Sequence, residues 1–346
     1  MQKVRAEIQL KNIQDNAKLF KRKMGGKLCA VVKANAYGHG AEEVVAALCG
    51  VADCFAVALV EEGLAIRGAA CGKDILVFTP PINEEQAFYI ISGGLVGSVV
   101  DMRTAKLFAG VCKRYGLRAK VHLKINTGMN RHGMSLSTLR RVCLYLQGET
   151  EVTVAGLYSH LYAPAQAEKQ RKAFVYAQKL CRRYFPDICA HLSATQGCLL
   201  GKEFAFDMVR VGLGLYGYLP SGNERFSADF PLKKGMKIYA QSLKNRVYHG
   251  GGAGYGEDIH LSQGNRFSLL RLGYADGALR AQDNGFVGEN VNRLCMDVCL
   301  QKGVKKRGKW VCVMGNAAET AQKAGTIAYE VLCAATRRAE FVYVYE

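Results

Sequence analysis

Six prolines and no Ser/Pro-rich or low-complexity tract leave this 346-residue chain without a visible linker, so its organisation must be read from hydrophobic periodicity. No apolar run approaches the ~20 residues needed to span a bilayer, and the amino terminus MQKVRAEIQL lacks the apolar segment of a signal peptide. A soluble, cytoplasmic protein is expected. The thirteen cysteines include no CxxC, and no histidine pair has zinc-ligand spacing, which leaves no metal site in view. Odd in number and set mostly in apolar strings, such as KLCAVV around Cys29, they read as reduced core thiols and not as a disulfide scaffold. Acidic residues are scarce too: 29 Asp and Glu against 47 Lys and Arg give a formal net charge of +18. The basic residues fall in short separate groups, 21–23, 113–114, 182–183 and 302–309, accompanied by neither RNP aromatics nor a zinc finger. Solvated faces explain them better than a nucleic-acid interface, and a positive field also attracts anionic small molecules.

What is present points to a folded enzyme-sized chain. A 49% hydrophobic fraction with 22% charged residues excludes intrinsic disorder, and the length suggests two domains at about 150 residues each. Leu10, Ile13, Ala17, Phe20 and Met24 share one face of a helix over 10–24. Eight β-type runs follow at 27–32, 54–60, 74–79, 96–100, 119–125, 154–160, 188–194 and 208–214, with amphipathic helical patterns between them at 41–50, 84–93, 103–116 and 167–185. Near-continuous apolar strands alternating with helices imply a parallel sheet covered by helices. Eight such units within about 215 residues fit a TIM-type (β/α)8 barrel, with an open doubly wound sheet as the alternative. After Gly217 the runs 236–248, 265–274, 310–315 and 340–346 are β-type, and only 327–336 reads as helix. The expected division is a barrel over 1–220 and a mostly β domain over 221–346.

A (β/α)8 barrel places its active site at the carboxyl ends of the strands, often with phosphate held by the loops after strands seven and eight. Lys33 closes the first strand run, and burial there lowers an amine's pKa towards the free base that forms a Schiff base. Arg131 follows the fifth run, His160 ends the sixth, Thr195 follows the seventh, and Arg210 lies in the eighth before Gly212. Cations converging on one barrel mouth call for an anionic ligand, and a hydroxyl with a glycine amide suits a phosphate. Taken singly, each residue could equally serve a structural hydrogen bond. GLGLYG (212–217) formally fits the dinucleotide pattern GxGxxG, but it is a poor helix start and follows seven other strands. Tyr255 stands among glycines in GGGAGYGED, where the backbone allows close approach and the phenol is displayed.

The motifs VVKANAYGHG (31–40), LKINTGMNRHG (123–133), GLYSHL (156–161), HLSATQG (191–197), FDMVRVGLGLYG (206–217), AGYG (253–256), GYADG (273–277) and RLCMD (293–297) occur in this order, and over nearly the whole chain the sequence resembles the alanine racemases. That resemblance implies a barrel plus a β domain, pyridoxal 5′-phosphate (PLP) as cofactor, an amino-acid substrate and a head-to-tail homodimer. It implies that Lys33 carries the cofactor and acts as acid and base on one face of the substrate α-carbon, with Tyr255 from across the dimer on the other. Tyr37, Thr195 and Gly212 match phosphate-binding positions, and Arg210 matches the arginine at the pyridine nitrogen. Arg131 matches a residue near the cofactor phenolate and substrate carboxylate, and His160 a partner in the Tyr255 network. Tyr274, Met296 and Asp297 match positions lining the neighbour's entrance, and Lys124 a lysine carbamylated in some members. Departures from the family pattern are Thr195 for serine, Ala194 for asparagine, and Arg337 where a tyrosine beside the phosphate is common. The implied activity is alanine racemisation for peptidoglycan, with serine as the alternative substrate; a barrel-type PLP decarboxylase or a non-catalytic PLP carrier fits Tyr255 and Arg210 less well.

Overall fold

The computed structural model describes residues 4–247, 249–251, 263–264, 266–279 and 295–345. Strand β1 (Arg5–Gln9) leads directly into helix α1 (Leu10–Met24), whose predicted apolar face is the buried one. The helix stops at Gly25, in the left-handed conformation, whose amide donates to Lys21 O. Lys21, Arg22 and Lys23 in the last turn complement the negative end of the helix dipole.

Eight strands then build one parallel sheet: β2 (Lys27–Val31), β3 (Cys54–Val57), β4 (Ile75–Val77), β5 (Val96–Val99), β6 (Ala119–Lys124), β7 (Val152–Tyr158), β8 (Cys189–His191) and β9 (Met208–Val211). Their order is β8-β7-β6-β5-β4-β3-β2-β9, with β2 paired to both β3 and β9. The two ends approach each other through the Ala194–Arg210 bridge and the bond from Arg210 N to Ser193 O (2.9 Å), so the sheet nearly closes into a barrel. The open-sheet alternative is thereby excluded. The strand run expected over 54–60 ends at Val57, because the Ala58 and Leu59 amides turn to the Glu62 carboxylate instead of a neighbouring strand.

The connecting helices are α2 (Lys33–Gly38), α3 (Ala41–Leu48), α4 (Val60–Ala65), α5 (Glu84–Ser92), α6 (Met102–Tyr115), α7 (Leu136–Gln147), α8 (Ala167–Arg182) and α9 (Thr195–Cys198). Cys49 and Cys71 are joined in a disulfide that brackets β3 and α4, contrary to the expectation that every cysteine is a reduced thiol. Cys49 follows α3 and Cys71 lies in the turn after α4, and their Cα atoms are 6.3 Å apart, so the two chain segments bring them together across the surface. Among the described residues the other eleven cysteines are free, and six of them are buried, so the core-thiol reading holds there.

The second sheet comprises β10 (Met236–Val247), β11 (Arg266–Leu270), β12 (Cys299–Lys302), β13 (Trp310–Met314) and β14 (Glu340–Val344). It also takes in β1, which pairs antiparallel with β10 and parallel with β14. The amino-terminal strand thus ties the start of the chain to its end. Helices α10 (Ala317–Ala324) and α11 (Ala328–Ala334) follow β13, and α11 packs on α2 at the barrel mouth.

Candidate active site

The carboxyl ends of the barrel strands surround a cavity of about 320 Å³, within the range of small-molecule sites. Lys33, Tyr37, Arg131, His160, Thr195, Arg210 and Gly212 all line it, so the structure gathers in one place residues spread over 180 positions of sequence. Lys124, at the end of β6, lines it as well.

Lys33 is placed by an uncommon piece of backbone. Ala34, Asn35, Ala36 and Tyr37 all have φ between 52° and 54°, a full left-handed turn without a glycine. Such a conformation costs on the order of 1–2 kcal/mol per residue, so neighbours must hold it. Gly38 continues it at φ 80°, and a Cβ there would lie 2.4 Å from Leu332 O, so the turn rests directly on α11. The turn sends the Tyr37 ring inward between Tyr216 (centroids 4.9 Å apart) and Tyr329 (5.8 Å). The Tyr37 hydroxyl lies so close over Gly212 that a Cβ there would stand 2.5 Å from it. Thr195 Oγ1 accepts from Gly214 N at 3.2 Å. Two phenols, a threonine hydroxyl and a glycine backbone thus meet at one end of the cavity, the donor set of a phosphate cradle.

Arg210 is buried in β9, and its hydrogen bonds fix its orientation. NH1 donates to His191 O and His191 Nδ1 (both 2.8 Å), while NH2 donates to Ser159 O (2.6 Å) and Leu192 O (3.0 Å). The Nε hydrogen takes no part in these four bonds. A guanidinium can only donate, so His191 Nδ1 is an acceptor and its Nε2 carries the hydrogen, which it gives to His122 Nδ1 at 2.9 Å. Burial holds both imidazoles neutral, His122 down to about 4 and His191 well below its ordinary value. The row of rings relays no charge; it fixes the guanidinium.

The electrostatics of the cavity are one-sided. Among the described residues, no aspartate or glutamate lines it, whereas Lys33, Lys124, Arg131 and Arg210 do. Burial, then the Arg131 charge, depress the Lys33 amine below its usual range, with Glu62 partly opposing. Lys124 falls to about 7, through burial first and then Arg210, Arg131 and Lys33. Its ammonium group sits 4.6 Å from the Tyr158 ring centroid, and no hydrogen-bond or ion-pair partner accompanies it among the described residues. His160 is pushed down to about 3 by burial and the same cations, so its ring stays neutral. An occupant carrying two or more negative charges would relieve all of these strains together.

Not every expected residue joins the cavity. Tyr255 lies outside the described residues. Tyr274, Met296 and Asp297 do not line it; they cluster on the second sheet, where Gly273 packs on the Met296 backbone and Arg338 bonds both Asp276 (2.9 Å) and Asp297 (2.8 Å). Arg337 is exposed and does not line the cavity. The phenol at that end is Tyr329, which sequence reasoning missed. Its signal was available: IAYEV opens α11, the one segment after Gly217 with helical periodicity.

Comparison with known proteins agrees with this geometry. Residues 8–220 match the family model of the alanine racemase N-terminal domain, and residues 238–343 that of the C-terminal domain. An alanine racemase of Lactobacillus delbrueckii subsp. bulgaricus is 32% identical, spanning 97% of this chain and 96% of its own length. One from Desulfovibrio desulfuricans is 29% identical over 98% of this chain and 97% of its own. Among solved structures, alanine racemase of Clostridium difficile 630 superposes with a TM-score of 0.93 at 28% identity, over 100% of this chain and 96% of that one. Alanine racemase from Streptomyces lavendulae gives 0.91 at 26%, over 99% and 97%. With both domains matched in order over almost its full length, the chain belongs to the alanine racemase family.

Proposed function

We propose that this protein interconverts L- and D-alanine with PLP as cofactor, in the cytoplasm, supplying D-alanine for peptidoglycan, with serine as the alternative substrate. The observation that carries the reading is a barrel-mouth cavity lined, among the described residues, by four cationic side chains and no carboxylate, ending in a hydroxyl and glycine cradle. These residues fit PLP. Lys33 would carry its aldehyde carbon, Tyr37, Thr195, Gly212 and Tyr329 its phosphate, and Arg210 its ring nitrogen through the remaining Nε hydrogen, with His160 beside them. When bound, the cofactor supplies the electron withdrawal that acidifies the substrate α-hydrogen.

The chain's own groups divide the remaining work. Arg131 holds the substrate carboxylate, and its charge adds to burial in lowering the proton affinity of the Lys33 amine. Lys33 removes or returns the α-proton on one face. Tyr255 of the partner subunit does so on the other, since two bases of separate origin are the simplest way to remove a proton from one face and return one to the other. Arg210, a guanidinium that keeps its proton even though burial lowers its affinity for it, surrenders none to the ring nitrogen, which restrains electron withdrawal and disfavours transamination and decarboxylation. A head-to-tail homodimer would bring Tyr274, Met296 and Asp297 of each subunit to its neighbour's entrance. In this reading 1–220 forms the catalytic barrel and 221–346 the domain that completes the neighbour's site.

The test is incubation of purified protein and PLP with L-alanine, L-serine and other L-amino acids in D2O, scoring α-deuteration and chirality. Alanine should emerge deuterated and racemic, fastest of the set. Absence of exchange with every amino acid would overturn the function, and exchange without inversion in the native protein would overturn the two-base scheme. Tyr255→Ala should retain the cofactor's visible absorbance and single-face exchange while losing racemisation.

A further inference from the structure

The left-handed turn Ala34–Tyr37 must be held from outside, since none of its residues is a glycine. Backbone bonds do part of this: Ala36 N donates to Val32 O (2.8 Å), His39 N to Ala36 O (3.1 Å) and Gly40 N to Asn35 O (3.1 Å). Two side chains take the ends. At the start, one Glu62 carboxylate oxygen accepts from Ala34 N at 2.7 Å, while the other accepts from Ala58 N (2.7 Å) and Leu59 N (3.1 Å). At the finish, the wholly buried His39 directs Nδ1 at Ala36 O and Tyr37 O, 3.0 Å from each. Both partners are carbonyl acceptors, so Nδ1 carries the ring hydrogen and Nε2 is left with a lone pair. That Nε2 is buried and has no hydrogen-bond partner among the described residues. A buried, unsatisfied nitrogen is unfavourable, and the fold tolerates it where the opposite nitrogen holds two carbonyls of a strained turn.

The same ring stacks 4.4 Å from Tyr216, which in turn packs against Tyr37. Both clamping side chains stand clear of the cavity lining, so neither touches a ligand there. We propose that His39 and Glu62 are positioning residues that clamp the two ends of the left-handed turn and thereby set the Tyr37 phenol at the phosphate end of the cavity. The proposal rests on the reading of Tyr37 as a phosphate ligand.

Equilibrium binding to the apoprotein separates the two. The dissociation constant for pyridoxal, which lacks the phosphate, divided by that for PLP isolates the phosphate's contribution. Tyr37→Phe should lower that ratio roughly tenfold or more, the range of one charge-assisted hydrogen bond. His39→Leu and Glu62→Gln should lower it by a similar factor, whereas His39→Asn, whose side-chain amide can donate from the same place, should stay within about threefold of the native ratio. In a Tyr37→Phe background, His39→Leu should add little. An unchanged ratio in His39→Leu and Glu62→Gln, with Tyr37→Phe lowered, overturns the clamp and leaves the phosphate reading standing. Equal losses for both ligands also overturn it, since that is general loosening of the site. An unchanged ratio in Tyr37→Phe removes the phosphate reading and the clamp with it. Should His39→Leu not accumulate as a folded protein, Glu62→Gln decides the outcome.

Discussion

Lys124 is the most exacting test of the electrostatics. Its amine falls from 10.5 to about 7 on folding, chiefly through burial, and the side chain is only 7% exposed. At about 1.4 kcal/mol per pH unit, this places a ceiling of about 5 kcal/mol on the destabilisation of the apoprotein below pH 7. Between pH 7 and 10.5 the unfolded chain holds a proton that the folded one has released, so stability rises with pH across that window; above it the contribution vanishes. Lys124→Met keeps the apolar stem and removes the charge. We predict that the variant apoprotein is more stable than the native one by about 2–4 kcal/mol near pH 6, the ceiling being reduced by relaxation and water penetration. The difference should shrink by at least about 2 kcal/mol near pH 9.5. Urea unfolding at both pH values measures it, in buffers depleted of carbon dioxide, because carbamylation would convert the amine into an anion. A variant less stable than the native protein, or a difference independent of pH, would refute the reasoning.

Lys33→Ala should abolish the visible absorbance of lysine-bound cofactor and lower turnover by at least about a thousandfold, and persistence of that band would remove Lys33 from its role. The lowered pKa values of His39 and His122 (about 4), His160 (about 3) and His191 predict acid sensitivity. Between about pH 4 and 6.5 the unfolded chain binds these protons and the folded one does not, so stability falls as pH drops through that window. Unfolding near pH 5 should take up about three or more protons through these residues, and loss of this uptake should accompany their replacement by leucine; an uptake unaffected by replacement contradicts the assignment. Gly38→Ala, forced to φ 80° with its Cβ 2.4 Å from Leu332 O, should cost about 2 kcal/mol or more in urea unfolding, and a cost below about 0.5 kcal/mol would show that the turn yields easily.

The barrel was legible because its strands are buried on both faces. Runs such as Phe55-Ala56-Val57 and Ile75-Leu76-Val77 carry no polar alternation, and the helix over 10–24 was bounded by its own apolar stripe and Gly25. The second domain was harder to read for a physical reason. Strand β1 alternates half-buried and buried residues over five positions, but its partners lie at 236–239 and 340–344, and nothing local specifies pairing at that distance. Helix α10 was missed although Asn316 caps it by accepting from Ala318 N, a start signal present in the sequence. The left-handed turn had no signal at all: the residues after Lys33 read as a small loop, and the backbone bonds, the seat on α11 and the Glu62 and His39 contacts around the turn are not visible in KANAY.

The site was legible to the degree that it obeys the barrel's geometry. Lys33, His160, Thr195 and Gly212 fall at strand ends, and counting strands places them at one mouth. Tyr329 escaped because it enters from the second domain on α11, and the contact of that helix with α2 is tertiary. The missing carboxylate is the deeper lesson, since an absence at one location cannot be read from composition even when +18 hints at it. Beyond the effect of burial, Arg131 lowers the proton affinity of Lys33, and Arg210, Arg131 and Lys33 lower that of Lys124. The empty protein bears that repulsion as lost stability. A phosphate and a carboxylate entering the cavity cancel it, so ligand affinity and apoprotein instability have one origin, and binding must raise the pKa of Lys124 while flattening the rise in stability above pH 7.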